Sequence, residues 1–437
     1  MPSASSAANK AGTKRRGSNY AYAIVASCIA IIGIPCALVL SCAGIYFRPV
    51  SQYFGVSTSE FTLYFSILNA VMMVTLPIDG KIVSTVDARI VYSACVAIDG
   101  VTYCLMSQVT AVWQFYVAGA MLGVGTAPLI YFCVPTLINA WFKKRAGFFI
   151  GLCMSFTGIG GVIFNQVGSM LIGSAADGWR SGYLTFGIIM LAAALPFTVF
   201  VVRSRPSDLG LLPYGADADG EPAAASDEVA QKKDAPQEKT SVAIFVAVAL
   251  FSFLITLNQT VYQFLSSYCS SLAESLPQLA AYTGAIASSC MAGQAIGKVI
   301  LGAINDRSVR GGMTFGIGSG IVGVLLMMLF PQVPALLMAG AFLFGFVYAC
   351  TTVQVPLLTR KAFPDGDYTT IYSRVSTVGA LGSVIATMLW SFVIELPGGY
   401  VLMFCLSIAC MVCAYLLGSV ALRSAKAKTK AANSSTK

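Results

Sequence analysis

The chain has 437 residues, of which 57% are hydrophobic and only 10% are charged. Soluble domains carry about a quarter of their residues as charged side chains, so this composition excludes a soluble globular protein and indicates a multi-pass membrane protein. The 13 cysteines mostly lie in apolar stretches, including the one C-x-x-C spacing, Cys410 and Cys413, and the chain has no histidine. This usage argues against a disulfide framework, a metal centre and histidine-mediated proton transfer.

The chain opens with a polar, basic tail, residues 1–21, which we expect to lie in the cytoplasm. The apolar stretch that follows is too long for the core of a signal peptide, so we interpret it as a first membrane span. About 20 apolar residues suffice to cross a bilayer as a helix, and twelve such stretches are present. The predicted spans are 22–47, 58–79, 90–108, 111–141, 147–172, 182–202, 241–268, 279–303, 313–331, 333–360, 368–394 and 399–422.

One long hydrophilic stretch, 203–240, divides the chain into two sets of six spans and is predicted to be a flexible cytoplasmic linker. The predicted organisation is therefore a bundle over 22–202, the linker, a second bundle over 241–422 and a cytoplasmic tail over 423–437. The halves also repeat, because AGAML and VPTL at 118–137 match AGAFL and VPLL at 339–358. Gly80 and Gly302, after the second span of each half, share nearly the same offset. Two matches at nearly one offset indicate duplication of a six-helix unit.

Basic residues predict the orientation. With both termini in the cytoplasm, all but four of the 27 Lys and Arg residues fall on the cytoplasmic side. Only Arg48 and Arg180 fall outside, while Lys298 and Arg374 lie within spans. The net charge of +9 therefore reflects the positive-inside rule. These basic residues are scattered over short loops, which gives no support to nucleic-acid binding.

Lys298 and Arg374 are the most informative residues of the chain. Each lies in an otherwise apolar stretch, where a charge costs about 2.5–3.5 kcal/mol on insertion scales. Neither has an evident acid beside it in its own helix, so the simplest missing partner is an anionic substrate. Counted from the cytoplasmic ends of their helices, both are expected at a depth of about 10–12 Å. The alternative is that they extend to cytoplasmic headgroups or form a gate salt bridge.

A motif after the eighth span carries a family resemblance. GAINDRSVR, 302–310, resembles the G-x-x-x-D-R-x-x-R loop of the major facilitator superfamily. The resemblance implies an all-α membrane protein with twelve helices in two six-helix bundles. It also implies a conformational latch at Gly302, Asp306, Arg307 and Arg310. The first-half copy keeps Gly80 and Arg89 but has Ser84 in the place of the acid.

Three further segments resemble the oxalate/formate antiporter and monocarboxylate transporter branch: GIYFRPVSQYFGVSTSEF (44–61), WFKKRAGFFIGLCMSFTGIGG (141–161) and RPSDLGLLPYG (205–215). In that branch, basic residues on helices 8 and 11 bind substrate carboxylates, and Lys298 and Arg374 fall at those places. The oxalate carrier has Arg on helix 8 and Lys on helix 11, the reverse order. Because Arg binds bidentately and Lys acts as a point charge, the exchange need not preserve substrate choice.

Four other residues are weaker candidates. Tyr131 on helix 4, with Phe344 and Tyr348 on helix 10, falls where aromatic residues wall the cavity in this branch, although such residues more often serve packing. Asp99 on helix 3 is a candidate proton site, with a structural hydrogen bond as the alternative. Gln294 stands where animal monocarboxylate carriers have an Asp, four positions before the helix 8 cation. A neutral amide cannot carry a proton, which disfavours their symport mechanism.

The sequence thus predicts a secondary transporter for small organic anions, mono- or dicarboxylates, that works by alternating access and by antiport. The alternatives are a proton-coupled monocarboxylate symporter and a non-transporting membrane sensor built on a transporter fold. The sensor is disfavoured because the linker and the C-terminal tail are too small for a signalling domain. No nucleotide loop, metal cluster or nucleophile–base pair suggests an enzyme. We expect no cofactor, no metal and no nucleic-acid partner. The expected protein is a monomer in the lipid bilayer of the plasma membrane.

Overall fold

The computed structural model describes residues 19–143, 145–173, 175, 177–215, 242–363 and 368–435. Its architecture is all-α, with twelve helices long and apolar enough to cross a membrane. Each overlaps one predicted span, so the predicted fold class is confirmed. The helices are α1 (Asn19–Ser41), α2 (Thr58–Thr85), α3 (Ala88–Met106), α4 (Val112–Trp141), α5 (Ala146–Ile172), α6 (Gly178–Val201), α7 (Val242–Ala273), α8 (Thr283–Arg307), α9 (Val309–Leu329), α10 (Pro334–Ala362), α11 (Tyr368–Glu395) and α12 (Gly399–Ser435).

The first helix is interrupted near its end, and a separate helix, Gly44–Phe54, continues from it. We call Gly44–Phe54 the α1 extension. The interruption follows a π-helical stretch, Ile32–Ser41, that contains Pro35. Proline removes a backbone donor and crowds the preceding turn, and π-helical turns widen a helix locally. The break exposes backbone groups of α1 to partners elsewhere in the chain.

Side chains cap the starts of two helices. The Ser57 side chain accepts a hydrogen bond from Glu60 N at 3.1 Å and caps α2. Asp87 caps α3 by accepting from Arg89 N at 2.9 Å. Serine and aspartate are favoured at such positions because their oxygens satisfy a free N–H of the first turn.

The beginning of the predicted linker is ordered against the first half. Residues Pro206–Leu209 form a 3-10 turn, and Tyr214 then pairs with the end of α4. Its N–H donates to Trp141 O at 2.7 Å, and its carbonyl accepts from Lys143 N at 2.9 Å. The rest of the linker lies outside the described residues.

The two halves meet where α5 packs against α8 and where α2 packs against α11. One large core of buried residues runs through both halves, and in it the rings of Phe47 and Phe264 lie 5.4 Å apart. A second core contains only buried residues of the first half, including Trp141 and Cys153. The halves therefore share a hydrophobic core in one part of the molecule and have separate packing in another.

One end of the bundle carries the ion pair between the halves that the described residues form. Arg48 pairs with Glu274 there, and Glu395 accepts from Ser59 N at 2.7 Å and from Ser59 Oγ at 3.1 Å. We call the end that carries these four residues the closed end. We call the opposite end, where α1 begins and α6 finishes, the terminal end. The orientation of the two ends relative to the cell stays a prediction.

Candidate substrate site

Lys298 lies on α8 and reaches across to the first half. Its Nζ donates to Thr157 Oγ1 at 3.3 Å and to Met154 O at 3.4 Å, both on α5. These distances are long for hydrogen bonds to an ammonium group, and both acceptors are neutral. Among the described residues, no carboxylate lies within ion-pair distance of this ammonium. Lys298 is therefore a cation at the interface between the halves, and no described residue of either half neutralises its charge.

Arg374 is an exposed residue of α11. In the described part of the chain it has neither an ion pair nor a hydrogen bond to its guanidinium. It lies six residues after the start of α11 at Tyr368, or about 9 Å along the helix, whereas Lys298 lies nine residues before the end of α8 at Arg307, or about 14 Å. The two cations thus differ in depth by about one helical turn, on two helices of the same half.

Tyrosines from both halves border a space near these cations. Tyr131 on α4 is 48% exposed, although its neighbours Leu129 and Cys133 are fully buried. It lies near Tyr372 on α11, so tyrosines of the two halves approach each other here. The exposed part of Tyr131 borders the region between them. A π-helical turn, Leu129–Cys133, begins directly after Pro128 and sets this part of α4.

The space ends at a cluster of polar and aromatic groups toward the closed end. Tyr348 on α10 lies near Tyr131 and stacks on Tyr262 of α7, with ring centroids 4.9 Å apart. Tyr262 in turn donates to Leu40 O in the first half, and Gln263 Nε2 donates to the same carbonyl at 2.7 Å. That carbonyl is available because α1 is interrupted after it. These contacts close the space on one side.

Two of the weaker candidates lie away from this space. Phe344 is fully buried in the core that both halves share. Asp99 is fully buried within the first half, where it accepts a hydrogen bond from Thr126 Oγ1 at 3.1 Å. Its Oδ1 has no hydrogen-bond partner in the described structure. The arrangement suits the structural reading of Asp99 at least as well as a role in proton transfer.

The predicted latch residues lie at the terminal end. The Asp306 side chain lies outside the described residues, while Arg307 and Arg310 are exposed. Arg310 lies close to the Tyr415 hydroxyl on α12, and Gly302 has open space around its Cα. In the first half, a side chain at Gly80 would contact the Phe132 ring, and Arg89 supplies a backbone donor to the α3 cap. Their role as a latch stays a prediction.

Sequence reasoning missed the residues that join the halves near the space. Tyr262 and Gln263 belong to the polar run Asn258–Gln263 within the otherwise apolar α7, and that run was the available signal. Gln294 is buried on α8, and its Oε1 has no partner among the described residues. Gln294 lies against Gly158 of α5, where a Cβ would come within 2.5 Å of that oxygen.

Comparisons with known proteins agree with this architecture. The family model for the Major Facilitator Superfamily matches residues 29–287 and 245–437. Monocarboxylate transporter 12 of Rattus norvegicus is 28% identical over 222 residues, which cover 50% of this chain and 42% of the rat protein. The MFS-type transporter pynF of Aspergillus niger is 26% identical over 140 residues, covering 30% of this chain and 31% of that protein. The chain thus matches less than half the length of these curated relatives.

Two solved structures share the fold. The nucleoside transporter NupG superposes with a TM-score of 0.68 at 12% identity, covering 93% of this chain and 98% of that chain. A bacterial homolog of the human lysosomal transporter Spinster, in an inward-facing and occupied conformation, gives a TM-score of 0.63 at 12% identity, covering 93% and 97%. With the family match over most of its length and twelve helices of membrane-spanning character, this chain belongs to the Major Facilitator Superfamily and is a multi-pass membrane transporter.

Proposed function

We propose that this transporter carries small organic anions, mono- or dicarboxylates, across the plasma membrane by alternating access. The observation that supports the proposal most strongly is the state of Lys298 and Arg374. Both are cations on membrane-spanning helices, and no described carboxylate neutralises either of them. Intramembrane charges usually pair with one another or with backbone carbonyls, and Lys298 has only one long contact to such a carbonyl, 3.4 Å to Met154 O. A bound carboxylate is therefore the partner that these two residues lack.

The surroundings of the cations suit such a substrate. Tyr131, Tyr348 and Tyr372 offer ring faces to an organic body and hydroxyl groups to its polar atoms. Lys298 contacts only neutral acceptors of α5, so an arriving carboxylate can replace weak bonds with a charge-assisted one. Loss of the bonds from Lys298 to α5 would also weaken the contact between α8 and α5. Substrate binding and movement of the halves would then be linked through one side chain.

Exchange of anions is the transport mode that these residues favour. An empty transporter with two unneutralised cations would have to enclose both charges when the halves close over the site, and desolvated unpaired charges are costly. A bound anion removes that penalty. The amide Gln294 supplies no proton acceptor beside Lys298. The anion-loaded form should therefore reorient faster than the empty form.

Proton-coupled symport is the second candidate, and one observation speaks for it. Asp99 is a fully buried acid with one unpartnered oxygen among the described residues. A carboxyl group in such a place could take up and release a proton. It lies inside the first half, however, and not beside either cation.

Counterflow in proteoliposomes tests the proposal. Vesicles would be loaded with one unlabelled mono- or dicarboxylate and supplied with a trace of the same labelled anion outside, over a panel of such anions. The expected result is transient accumulation of at least one carboxylate and not of nucleosides or amino acids. Net uptake into empty vesicles with an acidic exterior should be much slower. Failure of every anion in the panel, with counterflow of a neutral or cationic solute, would refute the proposal.

A further inference from the structure

A second cavity lies at the closed end, far along the helices from Lys298. Its volume is about 520 Å³, within the range of small-molecule sites. The walls come from the α1 extension, the end of α5 with the turn after it, the start of α6 and the end of α7, so the cavity lies between the two halves. Its polar and aromatic lining residues are Arg48, Gln52, Tyr53, Trp179, Ser270 and Glu274.

The chemistry of the cavity wall favours an anion. Arg48 lines the cavity, and Arg180 lies over two of its rings, with Cζ 4.4 Å from the Trp179 centroid and 5.6 Å from that of Tyr53. These are the two basic residues that the sequence places outside, on a surface that otherwise lacks them. Trp179 is fully buried, and its Nε1–H, a donor only, has no hydrogen-bond partner in the described structure. Arg180 Nη1 donates to the neutral Ser107 O at 2.8 Å, and Glu274 pairs only with Arg48. Neither Arg180 nor the Trp179 N–H has a carboxylate partner in the described structure.

Glu274 is the group that an arriving anion would replace. It pairs with Arg48 across the halves, yet its side chain is 68% exposed while that of Arg48 is 17% exposed. An ion pair with so exposed a carboxylate contributes little net stability. Arg48 Nη1 also donates to Ser267 O at 3.4 Å, a long contact to the same helix. The cation is thus held in place and largely buried, while its anionic partner is free to leave.

We propose that this cavity is a binding site for small organic anions, and that a bound anion competes with Glu274 for Arg48 and so releases the contact that holds the closed end together. The ligand is a carboxylate with an apolar body, whose charge lies at Arg48 and whose body contacts Tyr53 and Trp179. The inference deepens the proposed function, on which its choice of ligand class rests. An external substrate would then help to open the end through which it enters.

The test follows opening of the closed end in the full-length protein. Thr62 Oγ1 and Ser391 Oγ lie 2.5 Å apart there and are buried, so a Thr62→Cys variant in nanodiscs reports opening by its reaction with a charged, membrane-impermeant maleimide. Benzoate is the probe, and benzamide is its neutral control of the same shape. We expect benzoate to increase the labelling rate at least about 5-fold, as a shift of a two-state equilibrium, and benzamide to leave it unchanged.

Variants distinguish an anion site from a simple lock. Glu274→Gln should raise the labelling rate without ligand and lower the benzoate concentration needed for half the effect. Arg48→Gln should also raise the basal rate but abolish the benzoate response. Trp179→Phe and Arg180→Gln should each raise the half-effect concentration several-fold. If the Arg48–Glu274 ion pair only holds the closed end and binds no anion, Arg48→Gln and Glu274→Gln should have the same labelling rates, and benzoate should not change the rate of wild type. That result would overturn the proposal.

The same assay in a Lys298→Gln background separates this site from the central one. A benzoate response that persists there, and is lost in Arg48→Gln, assigns the effect to the cavity even if counterflow finds no carboxylate transport. If Lys298→Gln abolishes the benzoate response and Arg48→Gln retains it, the anion binds at the Lys298 site. That outcome would refute the cavity site and leave the proposed function standing.

Discussion

The closed end and the terminal end differ in how the two halves hold each other. At the closed end, Arg48 meets Glu274, Glu395 meets Ser59, and the aromatic core is continuous between the halves. Toward the terminal end, Tyr131 and Arg374 are exposed. The comparison shows where the transporter can move. At the closed end, the halves are joined by polar contacts of exposed side chains, and such contacts can break. Toward the terminal end, Lys298 and Arg374 have no acidic partner in the described structure.

The largest effect is expected from removing either central cation. Lys298→Gln and Arg374→Gln should each reduce carboxylate counterflow by about 30-fold or more, since loss of one partner of a desolvated charge pair costs about 2–5 kcal/mol. Without substrate, their thermal stability should equal or exceed that of wild type, because an unpaired charge has left the membrane. Arg360→Gln, at the exposed end of α10, is the matched control and should transport normally. Poor folding of Arg374→Gln with normal transport by the surviving protein would make Arg374 a structural charge.

The second prediction addresses closure at the closed end. A Cβ at Gly44 would overlap the backbone carbonyl of Gln263, where the α1 extension meets α7. Gly44→Ala should therefore destabilise the conformation in which the halves touch at the closed end by about 1–3 kcal/mol. Counterflow should be slower by about 10-fold. Gly151→Ala is the control, because no atom lies within 4 Å of its Cβ position. Equal rates for both variants would show that the contact at Gly44 is not needed for the transport cycle.

Exchanging the two cations should have a smaller and more specific effect. The double variant Lys298→Arg, Arg374→Lys keeps both charges but moves the bidentate group from α11 to α8. Because only Arg forms two parallel bonds to one carboxylate, the ratio of mono- to dicarboxylate transport should change by several-fold. Competition between the two classes of labelled anion measures that ratio. An unchanged ratio would mean that charge alone, and not its geometry, selects the substrate.

The smallest effect is expected at Asp99. Its bond to Thr126 lies inside the first half, so Asp99→Asn, which can still accept from Thr126, should leave exchange within about 2-fold of wild type, as for a retained hydrogen bond. Uptake would be compared with and without an acidic exterior. Strong stimulation by acid that disappears in Asp99→Asn would instead identify Asp99 as the proton carrier and overturn the antiport proposal.

These regions also differ in how far the sequence could predict them. Hydropathy located all twelve helices, and a charge in an apolar stretch was enough to single out Lys298 and Arg374. The pairing of Gln263 with Leu40 could not be predicted, because it joins residues 223 positions apart and depends on a break in α1. Burial of Phe344 depends on which face of α10 meets its neighbours, and a helix that is apolar all round gives no such signal. Local chemistry is therefore readable from the sequence, while contacts between the halves require the packed structure.

Substrate protection of the purified protein tests the central claim most directly. The carboxylate that gives counterflow would be added at saturation, and the unfolding temperature of wild type, Lys298→Gln and Arg360→Gln would be followed. A ligand at 100 times its Kd stabilises the folded state by about 2.7 kcal/mol, so wild type and Arg360→Gln should unfold several degrees higher with the anion. Lys298→Gln should show no shift. Equal stabilisation of all three proteins would contradict the assignment of Lys298 to the substrate site.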